Sequence, residues 1–126
     1  MASLSPYAAT AMLNGTAIPA NLYMDLHIGD PSPDGGDNLA VGSTRQLVTR
    51  AVAAALSGVT TNNIVVSWVP YTESENISHT TFWDDPDAGQ GNVWFIGELP
   101  SPVPVTDGEA AFFDVGDITF ELEVYA

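Results

Sequence analysis

The segment LYMDLHIGDPSP, residues 22–33, constrains this chain more than any other. Leu22, Met24, Leu26 and Ile28 alternate with Tyr23, Asp25 and His27. A period of two sends alternate side chains to opposite faces of a β-strand. The strand halts at Gly29-Asp30-Pro31, where proline lacks the N–H that a continuing ladder needs. One apolar face must be covered by a second layer, so the segment calls for a packed β domain. The stretch ISHTTFWD, residues 77–84, repeats the form: a strand with central His79, then an acidic turn.

The rest of the chain fits that frame. Residues 5–13 predict a short helix: Ser5 as N-cap, Pro6 at the first helical position, Ala8, Ala9, Ala11 and Met12 within, Asn14-Gly15 as the stop. Residues 29–42 are rich in turn formers and predict a loop. Residues 45–56 allow helix by propensity but alternate as a strand, and strand is the expectation. Residues 58–63 read as a turn, and 63–69, 76–83, 93–99, 109–115 and 117–125 as strands. Pro100, Pro102 and Pro104 exclude a central strand after Leu99. In the last strand Ile118, Phe120, Leu122 and Val124 face one way, and Thr119, Glu121, Glu123 and Tyr125 the other. Seven or eight short strands separated by turns indicate a mainly β protein, an antiparallel β-sandwich, jelly-roll-like, with one short N-terminal α-helix. A length of 126 residues implies one such domain, 1–126, with 1–14 as helix and docking segment.

Charge narrows the function. Sixteen acids face two bases, Arg45 and Arg50, for a net charge of −14. Neutralising a phosphate backbone or an anionic bilayer takes clusters of Lys and Arg, so nucleic acid and membrane surfaces are unsuitable partners. The absence of cysteine excludes disulfides and thiolate chemistry. No stretch reads as a signal peptide or membrane span.

Candidate sites are few. Asp30, Asp34 and Asp37 share one loop, and Asp84, Asp85 and Asp87 another. Such oxygen-rich loops are candidate calcium ligands, but aspartate beside Gly and Pro is also ordinary turn chemistry, and neither loop has the EF-hand pattern. His27 and His79 sit mid-strand and can meet across a sheet as a metal or acid–base pair, but no third ligand follows from spacing, and structural histidines are commoner in strands. No G-x-S-x-G elbow is present, and among the acids only Glu98 has an apolar setting, so an enzyme is not expected. No metal or cofactor is therefore assigned. Trp68, Trp83, Trp94, Tyr23, Tyr71 and Tyr125 could line a sugar-binding face, which makes a carbohydrate-binding module for a host surface the alternative reading; aromatics in strands more often build cores. Leu4, Tyr7 and Met12 on the helical segment are candidates for docking on a neighbour.

Read together, the motifs point to a family. Leu26-His27-Ile28-Gly29-Asp30-Pro31, a Gly-rich acidic loop, Arg45-Gln46 with Val48-Thr49, Ile77-Ser78-His79, Phe82-Trp83-Asp84 and Gly97-Glu98-Leu99 follow in that order. The chain resembles the small virion proteins of tailed phages with an LHTGDPG…ITH…LWD pattern, labelled tail-fibre, minor tail or minor capsid proteins. The resemblance runs from the N-terminal helix to Leu99. Ile28 stands where the family often has Thr, and Thr80-Thr81-Phe82 replaces a more Gly-rich or apolar stretch. The resemblance implies a non-enzymatic virion component, assembled in the host cytoplasm, whose partners are major capsid or tail proteins. Its small size and lack of shaft repeats lean toward a compact exterior domain, capsid-decorating or tail-associated. A symmetric homo-oligomer, a trimer, is expected.

Overall fold

A computed structural model describes residues 4–123. It holds one helix, α1 (Pro6–Asn14), and eight strands: β1 (Asn21–His27), β2 (Gln46–Thr49), β3 (Val59–Thr61), β4 (Val66–Trp68), β5 (Glu75–Trp83), β6 (Val93–Val105), β7 (Ala111–Phe113) and β8 (Thr119–Glu121). All pairings are antiparallel. A four-stranded sheet runs β2-β1-β5-β6, and two-stranded ribbons join β3 to β8 and β4 to β7. The pairings β5–β6, β4–β7 and β3–β8 are nested, as in one long hairpin rolled over on itself.

The core lies between the sheet and the two ribbons. Leu22, Met24, Leu26, Val48 and Phe82 come from the sheet, and Val66, Trp68, Ile118 and Phe120 from the ribbon side. Phe120 stands edge-on to Phe82 at 4.9 Å and to Phe95 at 5.1 Å between ring centroids. Trp68 meets Phe113 at 6.3 Å in the same manner. Edge-to-face contacts set ring edges against ring faces and add to the gain from burial.

Helix α1 forms as its sequence implies. The Ser5 hydroxyl accepts the Ala8 N–H at 3.1 Å, Pro6 follows the cap, and Gly15 closes the C-terminus. Nine residues are too few to hold a helix alone. Leu13 packs on Ile18 and Ala53, the Thr10 hydroxyl accepts the Gly58 N–H at 3.0 Å, and the Asn14 amide bonds both backbone groups of Ala53. Of the docking candidates, Leu4 is half-buried, Tyr7 is exposed, and Met12 packs against the Leu13 cluster.

Several boundaries differ from the sequence expectation. Ile28 is half-exposed rather than core, because β1 ends at His27 and the Ile28 N–H turns to the Asn38 carbonyl. Both faces of β1 are covered: Asp25 and His27 are buried on the face expected to be open. The strand expected over 45–56 keeps only Gln46–Thr49; after an Arg50–Asn62 bridge the chain turns, with Leu56 at φ 60°. The turn expected at 58–63 contains β3, paired to β8. The strand expected over 63–69 shrinks to Val66–Trp68, and that over 109–115 to Ala111–Phe113. Strand β6 continues through all three prolines to Val105, because it lies at the sheet edge and its register jumps from Glu98, opposite His79, to Val103, opposite Ile77. Of the strand expected over 117–125, β8 keeps Thr119–Glu121; Phe120 and the preceding Ile118 are buried while Thr119 and Glu121 are exposed, and Val124 and Tyr125 lie outside the described residues.

Asn62 locks the ribbons together. It is fully buried; its amide donates to the carbonyls of Ile64 at 2.8 Å and Asp114 at 2.9 Å, and its oxygen accepts the N–H groups of Gly116 at 3.1 Å and Ile118 at 2.9 Å. Every hydrogen-bonding position on the side chain is used. Asn62→Asp keeps the shape but turns both donors into an acceptor facing two carbonyls. Unfolding in urea is expected to show a loss of about 2–4 kcal/mol, because each unmet buried group costs ~1–3 kcal/mol; Asn63→Asp, at an exposed neighbour, should change stability by less than about 0.5 kcal/mol.

Candidate functional site: a buried polar network under the acidic loops

The second face of the four-stranded sheet carries Asp25 and His27 on β1 and Thr81 and Trp83 on β5. Residues 28–45 fold back over it. The Ala40 N–H bonds the Leu26 carbonyl at 2.9 Å, and His27 forms a bridge with Leu39. The loop lies so close to the sheet that a Cβ on Gly35, at φ 75°, would stand 2.9 Å from the Trp83 ring. Only glycine fits both that dihedral and that gap.

Arg45 organises this face. Its Nε donates to Asp25 Oδ2 at 2.9 Å, and the two side chains are 2% and 6% exposed. Its Nη1 donates to the carbonyls of Asp85 at 2.8 Å and Gln90 at 2.7 Å. Its Cζ lies 4.3 Å from the Trp83 ring centroid, a cation–π stack. The other Asp25 oxygen accepts from Ser43 Oγ at 2.8 Å, and Ser43 Oγ accepts the Leu26 N–H at 2.9 Å. One guanidinium thus holds strand β1, strand β5 and the 84–92 turn at once.

His27 sits at the other end. Its Nδ1 is 2.8 Å from the Asp37 carbonyl and its Nε2 is 2.8 Å from Thr81 Oγ1, which also accepts the Trp83 Nε1–H at 2.8 Å. A carbonyl cannot donate, so Nδ1 carries the proton and Nε2 accepts from the threonine hydroxyl. The relay Trp83 to Thr81 to His27 to Asp37 is satisfied by a neutral imidazole. Burial lowers the His27 pKa from 6.5, and His79 adds to the effect, outweighing the opposing pull of the Asp37 carbonyl and Asp25. The structure does bring the two histidines together: they are direct cross-strand partners, and Glu98 lies opposite His79 on β6. His27 has both ring nitrogens engaged within the protein, and Ser78 Oγ lies 2.8 Å from His79 Nδ1.

A second cluster pins the end of the same loop. Glu75 accepts the N–H groups of Val41 at 2.7 Å and Gly42 at 3.2 Å and the Tyr71 hydroxyl at 2.6 Å. Burial disfavours the Glu75 charge, but these three donors outweigh it and hold its pKa below 4.5. Burial, and then the Glu75 carboxylate, push the Tyr71 pKa up.

The loop aspartates shape their own turns. Asp30 accepts the Ser32 N–H at 2.9 Å, Asp34 the Gly36 N–H at 3.0 Å, and Asp37 the Ser32 hydroxyl. Asp85 accepts the Asp87 N–H at 2.8 Å, and Asp84 binds the Asn92 N–H at 2.8 Å and the Trp94 Nε1–H at 3.0 Å. Donors from the Asn92 backbone first, then Trp94 and the Asn92 side chain, lower the Asp84 pKa. Among the described residues no three His, Asp or Glu side chains are grouped to hold a metal ion. Glu98 is exposed, not in an apolar setting; the buried acid is Asp25. Trp68, Trp83 and Tyr71 are buried, so the strand aromatics do not form one open platform.

Of the motif residues, His27, Arg45 and Trp83 meet in the network, Gly29-Asp30-Pro31 starts the covering loop, and Asp84 closes the turn that Arg45 holds. Sequence reasoning missed Asp25, Ser43, Thr81 and Glu75, and it placed Tyr71 on a sugar-binding face rather than on Glu75. The available signal was Asp25, an acid inside an apolar strand of a chain with two cations to offer it.

This arrangement defines a structural β domain whose polar network holds its own loops in place. A family model described as Podophage GP4 fiber I protein gp80 matches residues 3–121, and the chain belongs to that family. It is a tail-fibre-like structural protein of the virion, associated with other virion components. No curated protein matches the chain.

Two predictions follow from the network. Arg45→Met should cost about 3–5 kcal/mol in urea unfolding, because it strands a buried carboxylate. Asp25→Asn with Arg45→Met should cost less than the sum of the two single changes, and Arg45→Lys should recover only part of the loss, since one ammonium cannot supply the fork and the stack. For His27 the lowered pKa sets the sign. The unfolded chain takes up the proton first, so the stability is fully present above about pH 6.5. It falls as pH drops below that value and stops falling under the folded-state pKa. The Tm of the wild type should therefore drop further than that of His27→Gln between about pH 7.5 and about pH 5.5.

Proposed function

We propose that this protein is a compact, non-catalytic component of the phage fibre apparatus, seated on other virion proteins as an accessory to the fibre. The observation that carries this reading is the match over residues 3–121 to a podophage fibre family. The fold supports it. A rolled β domain without shaft repeats suits an attached unit better than a shaft. Its densest polar cluster is spent on loop architecture. Of the two exterior placements, capsid-decorating and tail-associated, the match to a fibre family favours the second.

The trimer belongs to this reading as well. Three copies placed by the symmetry of a fibre need no large contact with each other, and a net charge of −14 on every copy opposes direct association. The expected result is antibody labelling of intact particles at the tail, with copy number per fibre in multiples of three by quantitative mass spectrometry. Label on the head faces would assign the protein to the capsid and sink the fibre placement.

A further inference from the structure

An open cavity lies where the proline-bearing end of β6 passes over the β4–β7 ribbon. It measures about 400 Å³ and is walled by Leu99, Val103, Trp68, Phe112 and Phe113, with Glu109 and Asp117 also lining it. Two of its wall residues are large hydrophobics turned to solvent: Phe112 is 57% exposed and Val103 47%. Val65 and Val69, flanking β4, are exposed as well. In antiparallel pairing Phe112 stands opposite Ser67, and Val65, Ser67 and Val69 share one face by period two, so the ribbon presents an apolar outer face beside the cavity. Phe112 and Val103, both exposed and both lining the cavity, put apolar surface at its mouth, and exposed apolar surface in a cavity marks an interaction site.

Charge selects the occupant. Both arginines are committed inward. Arg45 is in its ion pair, and Arg50 donates Nη2 to the carbonyls of Ile18 and Pro19 while its Nε and Nη1 are buried. With no lysine in the chain, the described surface offers carboxylates and no open basic side chain. A second copy would bring like charge to the Glu109–Asp117 side of the groove. A complementary occupant is apolar at its centre and basic at its ends.

We infer that this groove is the docking site for a segment of another virion protein: a short apolar stretch flanked by Lys or Arg, with side chains entering between Val103 and Phe112 and basic flanks meeting Glu109 and Asp117. The inference rests on the fibre-accessory reading and names the surface that reading leaves open. Its test is photo-crosslinking in assembled particles, with benzoylphenylalanine in place of Phe112 and, as a control, in place of Val52, which is 86% exposed and does not line the groove. The expected product joins position 112 to a peptide of a different virion protein containing an apolar run with Lys or Arg beside it, and the Val52 probe does not yield that product.

Phe112→Ser, and separately Glu109→Lys, should each lower incorporation into particles at least about tenfold while the domain keeps its circular dichroism spectrum, since both side chains are exposed. A cross-link to a second copy, to residues 1–3 or 124–126 of the same chain, or to an acidic segment overturns the proposal, as does unchanged incorporation of the variants. If particles contain the protein on the head, the fibre reading fails; if they contain it on the fibre with position 112 uncrosslinked, the groove fails alone.

Discussion

The Arg45–Asp25 pair is the constraint on which the rest of this structure depends. A buried ion pair is not in itself a strong source of stability, because desolvating two charges offsets most of their attraction. Its value here is positional. Arg45 reaches one strand by charge, a second by stacking on Trp83, and a distant turn through two carbonyls. Without it, residues 28–45 would have to lie over a sheet face carrying an uncompensated carboxylate. With it, a long Gly-rich and Asp-rich loop becomes a lid for β1 and β5. The chain has no cysteine, and this network serves the purpose that a staple serves in many small exterior domains.

That loop also explains where sequence reading succeeded and where it stopped. The alternation in residues 22–28 located β1 and three of its four expected core residues, since Leu22, Met24 and Leu26 face the ribbons while Ile28 lies past the strand and exposed. It could not show that the polar face would be buried too, because the cover comes from a stretch with no periodicity. Strand β5 was legible from end to end because its β-branched and aromatic residues sit between clear turns. Strand β3 was hidden beside Gly58, and its pairing lies some sixty positions away in β8. Strand β6 was cut short at Leu99 by proline rules that are sound for central strands. An edge strand with a register jump escapes them, since its outer N–H groups have no ladder to complete. Long-range pairing decided each of these cases, and local pattern carries little information about it.

The site was legible in a different way. The motif residues were identifiable, but the reason for their spacing was not. His27 and His79 invite a catalytic or metal reading in a linear sequence. In space they face one another across two strands, and His27 has both nitrogens spent on Asp37 and Thr81. The difference between a reactive histidine and a structural one lies in what the second nitrogen touches, and here that partner is 54 residues away.

The inward use of both arginines has a consequence for the exterior. Each cation consumed inside leaves one fewer to balance sixteen acids, so a surface that begins acidic becomes uniformly so. A surface of one charge sign repels other surfaces of the same sign. It also means that contact with the particle has to be made by apolar area, by a basic partner, or by both. The exposed Phe112 and Val103 stand where the first is available and the carboxylates of Glu109 and Asp117 where the second is. The economy that stabilises the loops thus also sets the kind of neighbour this domain can accept.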